Sequence, residues 1–134
     1  MAFQFSVAVR DGRLNSIETT IGASAKLEIY SGAEPANCAT ADAGTLLATL
    51  TLPATYFGTA ASGSMALAGV WTGTAAVAGT AGHFRLMDPT GATCHAQGSC
   101  TATGGGGDMT IDNPVLAVGQ VFNVTSFTVT DGNA

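Results

Sequence analysis

The chain has 134 residues, of which 24 are Ala, 18 Gly and 19 Thr; Lys occurs once, and nine acids against four bases give a formal net charge of −5. That length suits one domain that buries roughly 68% of the surface of its unfolded chain. Low charge and plentiful β-branched residues argue against disorder, four scattered cations offer no footprint for a phosphate backbone, heptads are absent, and no apolar run approaches the roughly 20 residues that span a bilayer.

The N-terminal MAFQFSVAVRDGR places no cations before its short apolar run and no clean cleavage site after it, so no secretory signal is expected. Phe3, Phe5, Val7 and Val9 alternate with other residues, as in an extended segment. Val7, Leu14, Ile17 and Ile21 follow helical spacing, with Arg10, Asp11, Arg13 and Glu18 between them. The pattern predicts a helix from about Asp11 to Ile21, stopped by Gly22, with residues 1–10 as an extended arm.

Everything after Gly22 has strand character. Ala25, Leu27 and Ile29 alternate with Lys26, Glu28 and Tyr30. SGAEPANCATADAG is a loop built from turn formers. Leu46–Leu52 alternates again and ends at Pro53, which removes a ladder donor. A small-residue loop holding Tyr56 and Phe57 leads to a strand predicted over Met65–Trp71. His83–Asp88 and Thr93–Thr101 form the clearest hairpin, turned by Asp88-Pro89-Thr90-Gly91 with Pro at i+1 and Gly at i+3 of a type I turn. Gly104–Gly107 breaks the chain, Asp108–Asp112 is a short strand, and Val121–Thr130 is the last and longest. In that strand Phe122 and Val124 set one phase and Phe127 and Val129 the other, so a β-bulge near Thr125-Ser126 is needed to bury all four on one face. Some seven strands and one short N-terminal helix imply an all-β fold, an antiparallel β-sandwich or jelly roll, over residues 11–134.

The chemistry-bearing residues are sparse. Cys94 and Cys100 lie six apart on one predicted strand, roughly 20 Å, too far for a bridge, so a disulfide would join Cys38 to one of them; the alternative is three reduced, mostly buried thiols. Cys38, Cys94, His95 and Cys100 are zinc-type ligands without a CxxC pair. The glycine run lacks the Lys and Ser/Thr of a phosphate-binding loop. Asp108 and Asp112 stand roughly 13 Å apart by strand rise, too far to act as one acid/base couple. His83 and Arg85 share a strand face near Asp88, which reads as a cross-strand contact before a polar site. Asn123-Val124-Thr125 is a glycosylation sequon inside a predicted strand. No nucleophile–base pair is recognisable, and no catalytic, cofactor or metal residues are expected.

Three segments together resemble a group of small proteins encoded with virion genes in tailed phages: LNSIETTIGASAKLEIYSGAEPANCATADAGTLLATLTLP, the hairpin GTAGHFRLMDPTGATCHAQGS, and TATGGGGDMTIDNPVLAVGQVFNVTSFTVTDGNA. The similarity covers nearly the whole chain after Leu14, and its motifs are structural. The resemblance implies a capsid decoration, or cement, protein of sandwich or jelly-roll fold. Such a protein is made in the host bacterial cytoplasm and sits on the outer capsid surface, where it binds the major capsid protein as a homo-oligomer (dimer or trimer), touching neither nucleic acid nor membrane. The rival expectations are a tail, neck or fibre component and a β-sandwich module for host attachment or ligand binding. The expected partner contacts are the arm residues Phe3, Phe5, Val7 and Val9 and, where exposed, the loop aromatics Tyr56, Phe57 and Trp71.

Overall fold

The computed structural model describes residues 3–132. One helix, α1 (Val7–Ile21), precedes nine strands: β1 (Lys26–Ser31), β2 (Leu46–Thr51), β3 (Ser64–Ala66), β4 (Thr72–Thr74), β5 (Gly79–Met87), β6 (Cys94–Ala102), β7 (Met109–Ile111), β8 (Val115–Leu116) and β9 (Val121–Thr130).

The helix begins four residues before the expected Asp11, so Val7–Arg10 is helical and not part of an extended arm. The reason is local: Ser6 is an N-cap whose hydroxyl accepts from the Val9 amide at 3.3 Å, and a cap outweighs a short apolar alternation. Met1 and Ala2, the first residues of the expected arm, lie outside the described residues.

The strands form one sheet in the order β2-β1-β5-β6-β7-β9-β3, with β4 also paired to β9 and β8 to β5. The expected all-antiparallel sheet is corrected: β6 and β7 run parallel, Cys100 beside Met109, so the sheet is mixed. The sheet curls, and β4, on the β9 side, comes back over β2. There Gly73 has no room for a side chain, because a Cβ would run into the Leu50 side chain. Of the expected strand Met65–Trp71 only Met65 and Ala66 are strand, in β3, and β4 begins beyond it at Thr72. Between them Ala68 N–H bonds the Tyr56 carbonyl and Gly69 takes a left-handed φ of 74°, a conformation that favours glycine.

The hairpin and the last strand follow the sequence closely. Gly91 N–H closes the Asp88 turn at 2.9 Å, and β5 pairs with β6 behind it. In β9 the register against β7 shifts so that Ser126 faces Thr110 but Val124 faces Ile111. Thr125 is therefore the extra residue of the expected bulge, held by 2.7 Å bonds to the hydroxyls of Thr103 and Thr110. Phe122, Val124 and Phe127 all end up buried.

The core fills the concave side with Leu27, Ile29, Leu50, Phe84, Leu86, Met109, Ile111 and an aromatic cluster centred on Trp71. Trp71 lies 5.9 Å from Phe57 and 5.7 Å from Phe127, ring centre to ring centre. Helix α1 adds Leu14 and Ile21 to this core. Its adjacent face carries Asp11, Asn15 and Glu18, spaced to line up along one side. Their side chains accept, in turn, the main-chain N–H groups of Gly63, Ala60, and Tyr56 with Phe57. Arg10 and Arg13 bind the carbonyl and carboxylate of Asp131, fixing the same helix to the end of β9.

Candidate functional site: a strapped polar face and exposed apolar segments

The convex face of β1, β5 and β6 carries a row of polar side chains where an ordinary sheet would meet solvent. Strand alternation puts Glu28 and Tyr30 on this face of β1 and His83 and Arg85 on the same face of β5. Register sets Glu28 beside Arg85 and Tyr30 beside His83, and Arg85 beside Gln97 of β6. The loop between β1 and β2, residues 32–45, lies across this row and buries it; His83 is 0% and Arg85 5% exposed.

Three side chains of the row, Gln97, Arg85 and His83, each hold a different point of the loop. Gln97 Nε2 donates to the Pro35 carbonyl at 2.6 Å. Arg85 Nη2 donates to the carbonyls of Asn37, Cys38 and Thr40 at 3.3, 2.9 and 2.9 Å. His83 Nδ1 is 2.8 Å from the Gly32 carbonyl, and Nε2 is 2.6 Å from Asp42 Oδ2. A carbonyl and a carboxylate both accept, so the full set of bonds forms when each ring nitrogen carries a proton. Tyr30 stacks on the His83 ring at 5.2 Å and donates its hydroxyl to Glu28 Oε2 at 2.7 Å. Burial, reinforced by that hydrogen bond and the Glu28 charge, raises the Tyr30 hydroxyl well above its ordinary pKa. Two glycines let the backbones meet: a Cβ on Gly82 would strike the Gly32 backbone, and one on Gly44 would strike the Ser31 carbonyl. Both His83 nitrogens and Arg85 Nη2 are engaged within the fold, while Arg85 Nε is buried without a hydrogen-bond partner. This constellation fastens the loop to the sheet.

The cross-strand contact expected of His83 and Arg85 is present, with Tyr30, Glu28 and Gln97, and the acid beside them is Asp42 from the strap, not the nearby Asp88. Asp88 caps its own turn, accepting from Ala92 N, Thr93 N and Thr90 Oγ1, and the Thr90 bond leads in holding its carboxyl below the usual range. Asp108 binds Ser99, and Asp112 binds the Asn123 amide and side chain. The glycine run is a tight turn, with Gly104 and Gly106 at φ of 83° and 82°. Among the described residues no group of three or more His, Cys, Asp and Glu gathers as a metal-holding array. No helix among them is long and apolar enough to cross a membrane.

The expected interface residues divide in two. Tyr56, Phe57 and Trp71 are at most 5% exposed and belong to the core, so they are not surface anchors. The Tyr56 hydroxyl donates to the Gly22 carbonyl and the Trp71 indole N–H to the Ala68 carbonyl, which settles both polar tips inside the fold. Phe3, Phe5, Val7 and Val9 are all exposed, Phe3 at 79%. Phe3 and Phe5 meet edge to face at 5.0 Å, and the Arg13 guanidinium stands over the Phe5 ring.

A second exposed apolar set was not anticipated: Leu46, Val77, Val115, Val118 and Val121. Their segments are hydrogen-bonded together. Val77 N–H reaches the Leu47 carbonyl, Gly119 N–H the Ala75 carbonyl, Val115 pairs with Thr80, and Val121 with Thr74. Beside the helix, a cleft of about 180 Å³ is lined by Leu14, Asn15, Glu18, Phe57 and Met65, but its Asn15 and Glu18 carboxamide and carboxylate are already bound to main-chain amides.

Two buried groups, Cys100 and Tyr56, and the half-buried Cys94 should make the fold sensitive to alkali. Burial pushes the Cys100 and Cys94 thiols up to about 11 and the Tyr56 hydroxyl up to about 12, the last helped by the Glu18 charge. A group whose folded pKa is raised stabilises the fold fully below its unfolded pKa and loses that contribution as pH climbs to the folded one. The urea-unfolding midpoint of the reduced protein is therefore expected to fall between pH 9 and 11 and to keep falling towards 12. Cys100→Ala should flatten the lower part of that fall; a midpoint constant from pH 8 to 11 would show that these groups are solvated.

Comparison with protein-family models, with curated proteins and with solved structures found no match.

Proposed function

We propose that this chain is a non-enzymatic structural protein of a tailed-phage virion, which decorates the outer capsid surface and bridges major capsid protein subunits. On this reading the curled sheet, closed on its convex side by the strap, serves as a compact sandwich-like body. The observation that carries the reading is the exposure of bulky apolar side chains at the N-terminal end and, separately, on the segments around Leu46, Val77 and Val115–Val121, beside a polar cluster that fastens the strap. Two apolar contact regions on one small body suit a bridging role. Repetition over a symmetric shell multiplies a modest interface, so neither region need be large. The resemblance of the sequence to small virion proteins supports the same reading, as does a net charge of −5, which disfavours contact with packaged DNA. The protein would act as a dimer or trimer on the shell.

The N-terminal contact can be tested directly. Removing Phe3 and Phe5 together (Phe3→Ser with Phe5→Ser) strips apolar surface worth about 1.5–3 kcal/mol per ring when buried. Co-sedimentation with capsids lacking the protein should show binding weakened at least tenfold, with the melting temperature of the free protein nearly unchanged. Equal binding by the variant would remove this segment from the interface. A cryo-electron microscopy reconstruction of the particle tests location: density for this chain across capsid subunits is expected, and density confined to the neck or tail would replace decoration with a tail role.

A further inference from the structure

Cys38 and Cys94 are 56 residues apart in sequence, yet Cys94 Sγ lies 2.7 Å from Cys38 Sγ. That is closer than two non-bonded sulfurs rest, and short of the roughly 2.05 Å of a formed S–S bond. Both ends of the contact are positioned by their surroundings. Cys38 belongs to the strap, and its own carbonyl is held by Arg85 Nη2. Cys94 opens β6 at a register shift, where Leu86 faces Ala96 but Met87 faces Cys94. His95 is thus the extra residue there, and the bulge sets the direction of its neighbour. Both thiols are half-buried, within reach of a small reagent, whereas Cys100 is 2% exposed.

We propose that Cys38 and Cys94 are an oxidisable pair that closes into an intramolecular disulfide and locks the strap onto the convex face. The oxidant is a small-molecule disulfide of the glutathione class. The Cys38 thiolate attacks one of its sulfurs; the small S–S bond breaks, one thiolate leaves, and Cys38 carries a mixed disulfide. Deprotonated Cys94 then attacks the Cys38 sulfur, forms the Cys38–Cys94 bond and expels the second small thiolate. Two electrons pass to the reagent, and the two protein protons end on the two released thiols. Burial holds the Cys94 thiol up at about 11, so the closing step quickens as pH rises. The bond joins a strap already fastened by Arg85, His83 and Gln97, so it adds a covalent tie to a prearranged contact. This inference stands on the contact alone and does not depend on the capsid reading.

The test uses the full-length chain, reduced, desalted and divided, with one half incubated with oxidised glutathione at pH 8.5. Both halves are then denatured, alkylated with N-ethylmaleimide and mapped by mass spectrometry. The reduced half should carry three labels. The oxidised half should carry one, on Cys100, and yield a Cys38–Cys94 linked peptide while remaining a monomer on a non-reducing gel. Its melting temperature should rise by roughly 5–15 °C, reversed by reductant, as expected for closing so long a loop. Cys38→Ala and Cys94→Ala should show no oxidant-dependent shift. Three labels after oxidation, a stable glutathione adduct without closure, a bridge through Cys100 or a bridge between chains would each overturn the proposal; the wild-type mapping decides it even if a variant fails to fold.

Discussion

Replacing Arg85 with Ala should cost about 3–5 kcal/mol, the loss typical of removing one partner from a buried charged network. The guanidinium is 5% exposed and is the shared donor for three loop carbonyls, those of Asn37, Cys38 and Thr40. Its Nε lies 4.0 Å from Asp42 Oδ2, and Glu28 faces it across the strand pair. Without the arginine the Cys38 and Thr40 carbonyls lose this donor, and Asp42 and Glu28 lose the guanidinium beside them. For a chain of this length the melting temperature should drop by about 10–25 °C. The damage should be local before it is global: amide exchange at residues 33–43 should speed up while that of β7 and β9 keeps pace with global unfolding. Arg85→Lys keeps the charge but cannot place its ammonium where the rigid guanidinium sets Nη2 among the three carbonyls, so it should recover only part of the loss. Wild-type-like melting of Arg85→Ala would mean that the strap is held by packing and not by this side chain.

Trp71→Ala should be comparably severe, at about 3–5 kcal/mol, because it empties the centre of the aromatic cluster. The side chain is 2% exposed and touches the rings of Tyr56, Phe57 and Phe127, which come from a loop and from β9 and cannot collapse inward together. The indole N–H bond to the Ala68 carbonyl also orders the link between β3 and β4. Trp71→Phe preserves most of the apolar surface and should cost little beyond that hydrogen bond, about 0.5–1.5 kcal/mol. Urea unfolding followed by circular dichroism is the suitable readout, since Trp71 is the chain's sole tryptophan and its fluorescence disappears with it. An Ala variant that folds with normal stability but fails on capsids would return Trp71 to the interface and contradict its place in the core.

What could be read from the sequence was local. The β5–β6 hairpin is written in Asp88-Pro89-Thr90-Gly91, the bounds of β9 in its β-branched and aromatic run, and the bulge at Thr125 in the change of phase between Val124 and Phe127. The helix start was missed because the Phe3–Val9 alternation imitates a strand, while the Ser6 cap is a single residue. The parallel β6–β7 pair leaves no mark in either strand, since each reads alike in both directions. In the sequence the strap reads only as a loop of turn formers. Its partners lie 41 to 62 residues further on, Asp42 with His83 and Pro35 with Gln97, and no short-range pattern reports such a contact. The one available hint was that His83 and Arg85 share a strand face in a chain with only four Lys and Arg residues. The aromatics of the 54–71 region misled for a related reason: a Gly- and Ala-rich loop looks exposed, yet here it folds under the helix because Asp11, Asn15 and Glu18 take up its amides.

The central claim, decoration of a capsid, is tested most directly by the number of copies of this chain in purified virions, measured by quantitative mass spectrometry against the major capsid protein. Decoration predicts hundreds of copies per particle, in a fixed small-integer ratio to the capsid subunit. Absence from the virion, or only a few copies per particle, would contradict it.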